Sequence, residues 1–533
     1  MNAPVLREGF RPPWNAPGER VLLVVALSAC FAVSVLVRCR IFGGYTWPVN
    51  YDAAYHVLLT MKAYAAVPFS DHYLVPLVSL GAPMDKGIPW GDTLPGKGGN
   101  YFYLSFPALG FVLPYLVHSI LGIAPTFSSL MWFNFAIHAV SAIVLVRLCG
   151  YVARLMEAGA ATRAWIMFFA GCSYILAKET MIAHGPTYWH HSLYQPILIA
   201  QILVFARIIH EPRGEWLRSM WLVALCFLGA LTEWTAYVAN AGVFAAFLFL
   251  GRRRAGGFSI LAVGVAFATF AAAALVVLHF SLAVDPGTIR AYLESRMVLQ
   301  NTPGFRDYSP LKWVALTYDS FSLLFVLGVL ALGWLVLSGM AARAGKGRSV
   351  RILPLLFVAS FPVVENWLVP GHAQTYHFDR AKIAIPLILG LTVLCAAVRH
   401  RFWCYLLWSI AIGSNMVSLA QADRSIPTRG GVDVDEMLWA RMHRYDRPCT
   451  LVTARRGVRG YENVLTGRSI VERVPDVAAM QALTRQRQAC LGIWLNSVPV
   501  PTGWWNQGYV YDPAEGTTSL IDPSGAATPW TAD

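Results

Sequence analysis

The sequence is poor in charged residues. Asp, Glu, Lys and Arg make up 13% of its 533 residues, whereas hydrophobic residues make up 56%. A soluble chain of this length needs far more polar side chains to cover its surface. Apolar runs of about 20 residues, the length that crosses a hydrocarbon core of roughly 30 Å, recur along the chain. The composition therefore predicts a multi-span membrane protein.

Acidic residues are scarcer than basic ones, 29 against 42, which gives a formal net charge of +13. In a soluble protein this excess would suggest a nucleic-acid partner. Here the arginines collect in short loops between apolar runs, as cytoplasmic loops of membrane proteins do. We find no nucleic-acid-binding motif, so we expect a lipid bilayer and no nucleic acid as partner.

Metal-binding patterns are also lacking. The nine cysteines form no CxxC motif and no Cys/His pair with the spacing of a metal site. Residues 1–424 contain no DxD motif, which weakens a metal-dependent mechanism and leaves a divalent metal open. Cys449 and Cys490 lie in the polar C-terminal part, where a disulfide is one of two open alternatives if that part is outside the cytoplasm.

The distribution of arginines predicts the topology. Three arginines precede the first apolar run, residues 21–37, so the N-terminus is expected in the cytoplasm. Placing the later basic loops on the same side requires that residues 104–123, which contain two prolines, do not cross. About 11 transmembrane helices result, with the loops rich in Asp, Glu, His, Tyr and Trp on the outer side.

The chain divides into two predicted domains. Residues 1–424 form the transmembrane domain, whose first outer loop, residues 41–126, carries juxtamembrane helices. Residues 425–533 form a small extracytoplasmic α/β domain, in which the strand-like runs CTLVTA and CLGIWLN flank the helical run DVAAMQALTRQRQ and a Trp-rich tail follows.

Two motifs in the first outer loop resemble a known family. YDAAYH, residues 51–56, opens a predicted amphipathic helix that runs to about residue 65, and GNYFYLSFPALG covers residues 99–110. Their order resembles that of the bacterial GT-C superfamily, which includes protein mannosyltransferases and the aminoarabinose transferase of lipid A. The resemblance implies an all-α polytopic enzyme of the inner membrane with a periplasmic C-terminal domain. It also implies transfer of sugar from a polyprenyl-phosphate donor to a lipid, glycan or protein acceptor.

Asp52 is the predicted catalytic residue. The resemblance places an acidic residue just after the first span, and a carboxylate within roughly 2.6–3.2 Å of the acceptor hydroxyl is suited to act as general base in an inverting transfer. Many family members carry Asp-Glu where this sequence has Asp52 and Ala53, so any role for a second adjacent carboxylate is in doubt here. The alternative is a helix N-cap, since Asp before Ala-Ala-Tyr is a common cap.

Polar residues near the ends of later spans are the predicted substrate-binding group. Glu233 lies at the tip of a hairpin of two spans, where ionisable groups usually face a cavity or a partner. His190 and His191 are adjacent and therefore point in different directions, so at most one is expected to face the cavity. Structural histidines are the alternative, and a zinc site with His184 is a weaker one.

The departing phosphate needs cations or hydrogen-bond donors on the outer rim. The candidates are Lys86, Arg306, Lys312 and Arg380, with His377 beside Arg380 and Tyr55 on the helix that Asp52 opens. Arg380 is the preferred cation because His372, His377 and Asp379 surround it just before a span. Each of these cations is alternatively an ordinary interfacial anchor.

Other functions are weighed against the transferase. A transporter or flippase for a lipid-linked glycan usually shows paired repeats and helices broken at mid-membrane, and the sequence displays neither. A polysaccharide polymerase or ligase tends to carry its large loop late in the chain. A non-catalytic scaffold with the same fold is the third alternative, which only an activity measurement excludes.

Overall fold

A computed structural model gives the fold of the chain. It describes residues 17–42, 51–79, 93–211, 215–251, 257–300, 309–341, 352–370, 373, 376–398, 401–425, 449–454, 474–500, 503–521 and 527–531. Most of these residues are helical, and the strands gather in the first loop and near the C-terminus.

The helices up to residue 300 are α1 (Pro17–Phe42), α2 (Tyr51–Ala66), α3 (Phe69–His72), α4 (Leu109–Leu121), α5 (Phe127–Leu155), α6 (Ala160–Leu176), α7 (Lys178–Ala183), α8 (His190–His210), α9 (Glu215–Ala230), α10 (Thr235–Gly251), α11 (Gly257–Ser281) and α12 (Pro286–Gln300). Those that follow are α13 (Pro310–Phe321), α14 (Leu323–Ala341), α15 (Leu353–Ser360), α16 (Glu365–Leu368), α17 (Ala384–Ala397), α18 (Arg401–Ser425) and α19 (Val477–Gln486). Short 3-10 helices cover Lys97–Gly99, Phe361–Val364 and His377–Ile383.

Six helical segments of the described chain are long and apolar enough to cross a membrane: Val21–Arg40, Phe127–Leu155, His190–His210, Phe258–Ser281, Phe378–Ala397 and Arg401–Gln421. The pair α13 and α14 makes a seventh candidate, although it bends by 115° at Ser322. Shorter apolar helices include Ala160–Leu176, Thr235–Gly251 and Leu353–Leu368. The structure is thus that of a multi-span membrane protein, and the count of eleven stays a prediction.

The burial of the spans distinguishes central from peripheral helices. The segment Phe378–Ala397 is 89% buried and forms the centre of the bundle, where α17 packs against α5, α6 and α14. The segment Val21–Arg40 is only 11% buried, and its exposed side chains are mostly Val and Leu. Such an apolar outer surface is unfavourable in water and suits contact with lipid.

The segment predicted as the first outer loop, residues 41–126, folds against the bundle where it is described. Helix α2 ends within one residue of its predicted end, but it has no face turned to solvent: residues 53–64 are buried or half-buried, and α4 and α5 pack against the helix. Strands β1 (Thr93–Pro95) and β2 (Tyr101–Tyr103) form an antiparallel hairpin. Helix α4 has 13 residues, about 20 Å at 1.5 Å per residue, so it is too short to cross the hydrocarbon core.

Five strands near the C-terminus form one sheet. The strands β3 (Thr450–Ala454), β4 (Leu491–Val500), β5 (Gly503–Asp512), β6 (Thr517–Ile521) and β7 (Ala527–Pro529) lie in that order. Strands β3 and β4 are parallel and the other neighbours are antiparallel. A parallel pair needs a crossover, which α19 supplies, and α19 packs on β4 where Gly492 leaves room for Thr484. The predicted domain boundary at residues 424/425 lies next to residues outside the described part.

Cys449 and Cys490 form a disulfide. Thr450 pairs with Leu491 in the parallel ladder, so the residues that precede the two strands lie side by side. The Cys490 amide also donates to the Cys449 carbonyl at 3.1 Å. The strand register therefore brings the two cysteines together. The sequence left this disulfide open, and the structure contains it.

Candidate functional site

Charged side chains from separate segments meet at one end of the helix bundle. The group consists of Glu179 in α7, His191 in α8, Glu233 in the turn between α9 and α10, Glu365 in α16, and Asp379, Arg380 and Lys382 in the 3-10 helix His377–Ile383. We call these seven residues the charged cluster. The backbone brings them together because each lies at or next to a helix end.

His191 is placed between two carboxylates. Its Nδ1 lies 3.3 Å from Glu233 Oε2, and its Nε2 contacts Asp379 Oδ1. All three side chains are buried. A neutral imidazole carries one N–H, so it pairs with both carboxylates only when the ring is protonated or one carboxyl carries a proton. Together the three groups therefore carry one proton more than a neutral imidazole and two ionised carboxylates would carry.

Glu233 is fixed by its own turn as well as by His191. Its Oε1 accepts a hydrogen bond from the Trp234 amide at 2.8 Å, and the Trp234 indole donates to the Ser105 carbonyl at 2.6 Å. Burial raises the pKa of the Glu233 carboxyl to about 7. The nearby His191 lowers this pKa, and the nearby Glu365 carboxylate raises it further. This carboxyl is thus suited to exchange a proton near neutral pH.

Arg380 is fully engaged within the protein. Its Nη2 lies 3.5 Å from Glu179 Oε1, its Nε donates to Ser320 Oγ at 2.8 Å, and its Nη1 donates to the Ala373 carbonyl at 2.6 Å. Arg380 and Glu179 are 1% and 0% exposed. A buried guanidinium requires such compensation, and these contacts tie α7 and α13 to the 3-10 helix.

Two lysines pair with carboxylates beside this group. Lys382 forms an ion pair with Glu365, whose carboxylate also accepts from Thr235 Oγ1 at 2.5 Å. Lys178 donates to both carboxylate oxygens of Asp319 at 2.9 Å. Lys382 therefore joins the 3-10 helix His377–Ile383 to α16, and Lys178 joins α7 to α13.

His190 faces away from the carboxylates. Its Nδ1 lies 3.2 Å from the Thr232 carbonyl, so this nitrogen carries the proton. The ring packs against Phe111, Trp189 and Phe106 at centroid distances of 4.5, 4.7 and 4.8 Å. The adjacent histidines thus have different surroundings, as the sequence argument predicted, and His191 is the one in the charged cluster.

His184 joins a third environment. Its Nε2 lies 3.2 Å from the Tyr174 hydroxyl, and its carbonyl accepts from Arg38 Nη1 at 2.7 Å. The structure does not bring it together with His190 and His191 as a zinc site requires. Among the described residues, no three His, Cys, Asp or Glu side chains form a group that could hold a metal ion.

Asp52 is the second residue of α2, and its side chain lies outside the described part of the chain. Tyr55, one turn later, is buried and stacks on Phe127 at a centroid distance of 5.6 Å. The next residue, His56, packs edge-on against Tyr103 at 4.3 Å, and burial lowers its pKa to about 3. His56 is therefore neutral, and its ring and that of Tyr55 pack α2 against neighbouring aromatic side chains.

The side chains of three further predicted site residues lie outside the described part of the chain. Lys86 and Arg306 lie outside the described residues. His377 begins the 3-10 helix that carries Asp379 and Arg380, but its side chain is likewise outside the described part. Lys312 is described and lies in the first turn of α13, on the exposed side of the helix.

Sequence reasoning did not select Glu179, Glu365 or Lys382 as site residues, and it named Asp379 only as a neighbour of Arg380. The available signal was an ionisable residue beside an apolar run, which usually has a partner. The pairing itself was hidden, because Glu179 and Arg380 belong to helices far apart in the chain.

Comparisons of sequence find no relative: no protein-family model matches the chain, and no curated protein matches it. Comparisons of structure do. The crystal structure of ArnT from Cupriavidus metallidurans bound to undecaprenyl phosphate has a TM-score of 0.55 at 12% identity, covering 90% of this chain and 93% of that one. The Archaeoglobus fulgidus oligosaccharyltransferase in the apo form has a TM-score of 0.56 at 11% identity, covering 90% and 70%.

This chain has the GT-C fold. A third structure agrees, that of the Archaeoglobus fulgidus oligosaccharyltransferase AglB in complex with an inhibitory peptide and a dolichol-phosphate, with a TM-score of 0.54 at 10% identity over 97% of this chain and 75% of that one. Both neighbours are membrane glycosyltransferases. The GT-C resemblance inferred from the two motifs of the first outer loop is confirmed at the level of the fold.

Proposed function

We propose that this GT-C protein is an inverting glycosyltransferase that takes sugar from a polyprenyl-phosphate donor and transfers it to a lipid, glycan or protein acceptor at the outer face of the membrane. The observation that carries the proposal is the GT-C fold over 90% of the chain. The buried charged cluster adds support, because buried ionisable groups in membrane proteins usually serve a site.

Asp52 is our candidate for the general base. It stands at the start of α2, directly after the first span and its short connection. A base at this position is close to the membrane–water boundary and beside the polyprenyl chain of the donor. It takes the proton of the acceptor hydroxyl as that oxygen attacks the anomeric carbon, and the polyprenyl phosphate leaves with the bonding electrons.

Glu233 and His191 are our candidates on the acceptor side. The Glu233 carboxylate has about four lone-pair positions, and the contacts to Trp234 and His191 use two of them. The others suit sugar hydroxyls. Lys86 and Arg306 are proposed for the phosphate, together with His377, whereas the contacts of Arg380 with Glu179 and Ser320 suit a role in holding the site together. Tyr55 and His190 are kept as proposed lining residues.

We also propose eleven spans with a cytoplasmic N-terminus. The six long helices, the bent pair α13 and α14, and four shorter helices make up this number: Ala160–Leu176, Glu215–Ala230, Thr235–Gly251 and Leu353–Leu368. The disulfide between Cys449 and Cys490 supports an oxidising compartment for the proposed C-terminal domain, residues 425–533. That compartment is the periplasm if the membrane is the inner membrane of a bacterium.

A deletion strain of the source organism tests the function. It is complemented with wild type, Asp52→Asn or Asp285→Asn at matched membrane levels, and envelope glycolipids and glycans are compared by mass spectrometry. Asp285 is the matched control, because it is an exposed carboxylate whose described contacts are with Thr288. We expect wild type and Asp285→Asn to restore a missing sugar and Asp52→Asn to fail.

Other outcomes would redirect the proposal. Full restoration by Asp52→Asn excludes Asp52 as the base and moves the base to Glu233 or to the segment that contains Glu365 and Asp379. No change in any glycan after deletion contradicts the transferase and favours a transporter, a flippase or a non-catalytic scaffold.

A further inference from the structure

We propose that His191 is a positioning residue for the transfer: paired with Asp379 on one side and Glu233 on the other, it fixes the direction and the charge of the Glu233 carboxylate. This inference rests on the proposed function, since it assigns a role within that reaction. Neither Asp379 nor His191 needs to touch substrate for it to hold.

The geometry gives each side of the ring a different task. Asp379 comes from the 3-10 helix His377–Ile383 and meets Nε2, while Glu233 comes from the α9–α10 turn and meets Nδ1. The carboxylate of Asp379 therefore holds a proton on Nε2 and orients the ring. The other ring nitrogen, Nδ1, then faces Glu233 Oε2 at 3.3 Å.

Glu233 is consequently held from two directions. Its Oε1 accepts from the Trp234 amide within the turn, and its Oε2 faces His191. A carboxylate held at both oxygens has lost its rotational freedom. Its remaining lone pairs then point in fixed directions, as pre-organised recognition of a hydroxyl requires.

The charges around the ring explain why a histidine suits this position. The groups that face His191 are Glu233, Asp379 and Lys382, with His190 adjacent in the chain, and Glu365 acts on Glu233. When Glu233 is ionised the imidazolium compensates it. When a proton reaches Glu233 the ring can become neutral, so the buried pair never carries two uncompensated charges.

Infrared difference spectroscopy of the purified protein in detergent tests the pairing without any substrate. The carbonyl stretch of the protonated Glu233 carboxyl is identified by its loss in Glu233→Gln and is followed as a function of pH. Removal of the imidazolium in His191→Gln leaves Glu233 buried without its nearest cation. We therefore expect its protonated band to persist to higher pH by about one unit or more.

His118→Gln is the matched control, a buried histidine in α4 whose described contacts are the Pro114 carbonyl, Ser129 Oγ and the Phe133 ring. It should leave the Glu233 band unchanged. An unchanged titration in His191→Gln, with the protein folded by its thermal transition, overturns the inference.

Turnover measurements separate positioning from a merely structural role. With an active wild type, we expect His191→Gln to lower kcat about 10- to 100-fold while KM for the lipid donor changes less than about threefold. An equal fall of kcat in His118→Gln, or a rise of KM with kcat unchanged in His191→Gln, contradicts the positioning role. A wild type that is inactive with polyprenyl-phosphate sugars sinks the proposed function, whereas the spectroscopic shift still decides the pairing of His191 with Glu233.

Discussion

The imidazole of His190 fills the space beside Gly110. A Cβ atom added at Gly110 would lie 2.4 Å from His190 Nδ1, which is closer than side chains approach one another. The carbonyl of the same glycine accepts a hydrogen bond from the Tyr188 hydroxyl at 2.8 Å. The Gly that closes the motif GNYFYLSFPALG is therefore the contact point at which α4 of the first outer loop meets the start of α8.

Replacement of this glycine should loosen the first outer loop. We expect Gly110→Ala to lower the free energy of unfolding by about 1–3 kcal/mol, because the His190 ring must leave its position among Phe111 and Trp189. Thermal unfolding in detergent measures this loss. Gly333→Ala is the control, since a Cβ at this exposed helical position meets no atom within 4 Å. Similar behaviour of the two variants would refute the packing argument.

The disulfide should stabilise the C-terminal sheet. Loss of the bond between Cys449 and Cys490, which are 41 residues apart, should cost about 2–4 kcal/mol through the freedom regained by the unfolded segment. We expect Cys490→Ser to speed proteolysis of residues 449–531 while the transmembrane part is retained. Cys39→Ser, at a free and partly exposed cysteine, should change neither. Equal protease resistance in the two variants would show that the sheet does not need the bond.

Features governed by local periodicity could be predicted from the sequence. The first span, the end of α2 near residue 65, and the helix between the two strand-like runs all follow from hydrophobic spacing. The divergence of His190 and His191 follows from their adjacency. The Trp-rich tail was not assigned as a strand, but it forms β5, since it pairs with β4 along its whole length.

Features governed by partners distant in sequence could not be predicted. Arg380 was identified as a cation at the outer rim, yet its direction is set by Glu179 and Ser320, which belong to α7 and α13. One sequence carries no signal that joins these positions. The amphipathic character expected for α2 was wrong for the same reason, because α4 and α5 cover the side that was expected to face water.

The ion pair between Arg380 and Glu179 should behave as a buried pair. We expect Arg380→Met alone to lower the free energy of unfolding by about 3–5 kcal/mol, since it leaves the Glu179 carboxylate buried without its cation. Glu179→Met should be damaging for the converse reason. The double variant should recover part of the loss, and thermal unfolding of all three measures the coupling.

The exposed pair Arg290 and Glu294 is the control for this cycle. Its side chains are 83% and 63% exposed, so solvent screens the interaction. Arg290→Met should change stability by less than about 0.5 kcal/mol. Strictly additive losses at Arg380 and Glu179 would contradict a direct ion pair between them.

Stability should fall between about pH 4.5 and pH 7 because of Glu233. Burial raises the pKa of this carboxyl from 4.5 to about 7, so the folded protein binds more protons than the unfolded chain in that window. The contribution is fully present below pH 4.5 and is lost as the pH rises through 7. Its size is about 3 kcal/mol, from 1.36 kcal/mol per pKa unit.

Glu233→Gln provides the comparison, since the amide stays neutral at every pH. Unfolding of wild type and variant is followed from pH 4.5 to 8 in the same detergent, and the difference between the two isolates Glu233 from the other carboxylates. We expect wild type to lose stability relative to the variant as the pH rises. A difference that is constant with pH would mean that Glu233 titrates near its ordinary pKa, and that the imidazolium of His191 outweighs the burial of the carboxyl.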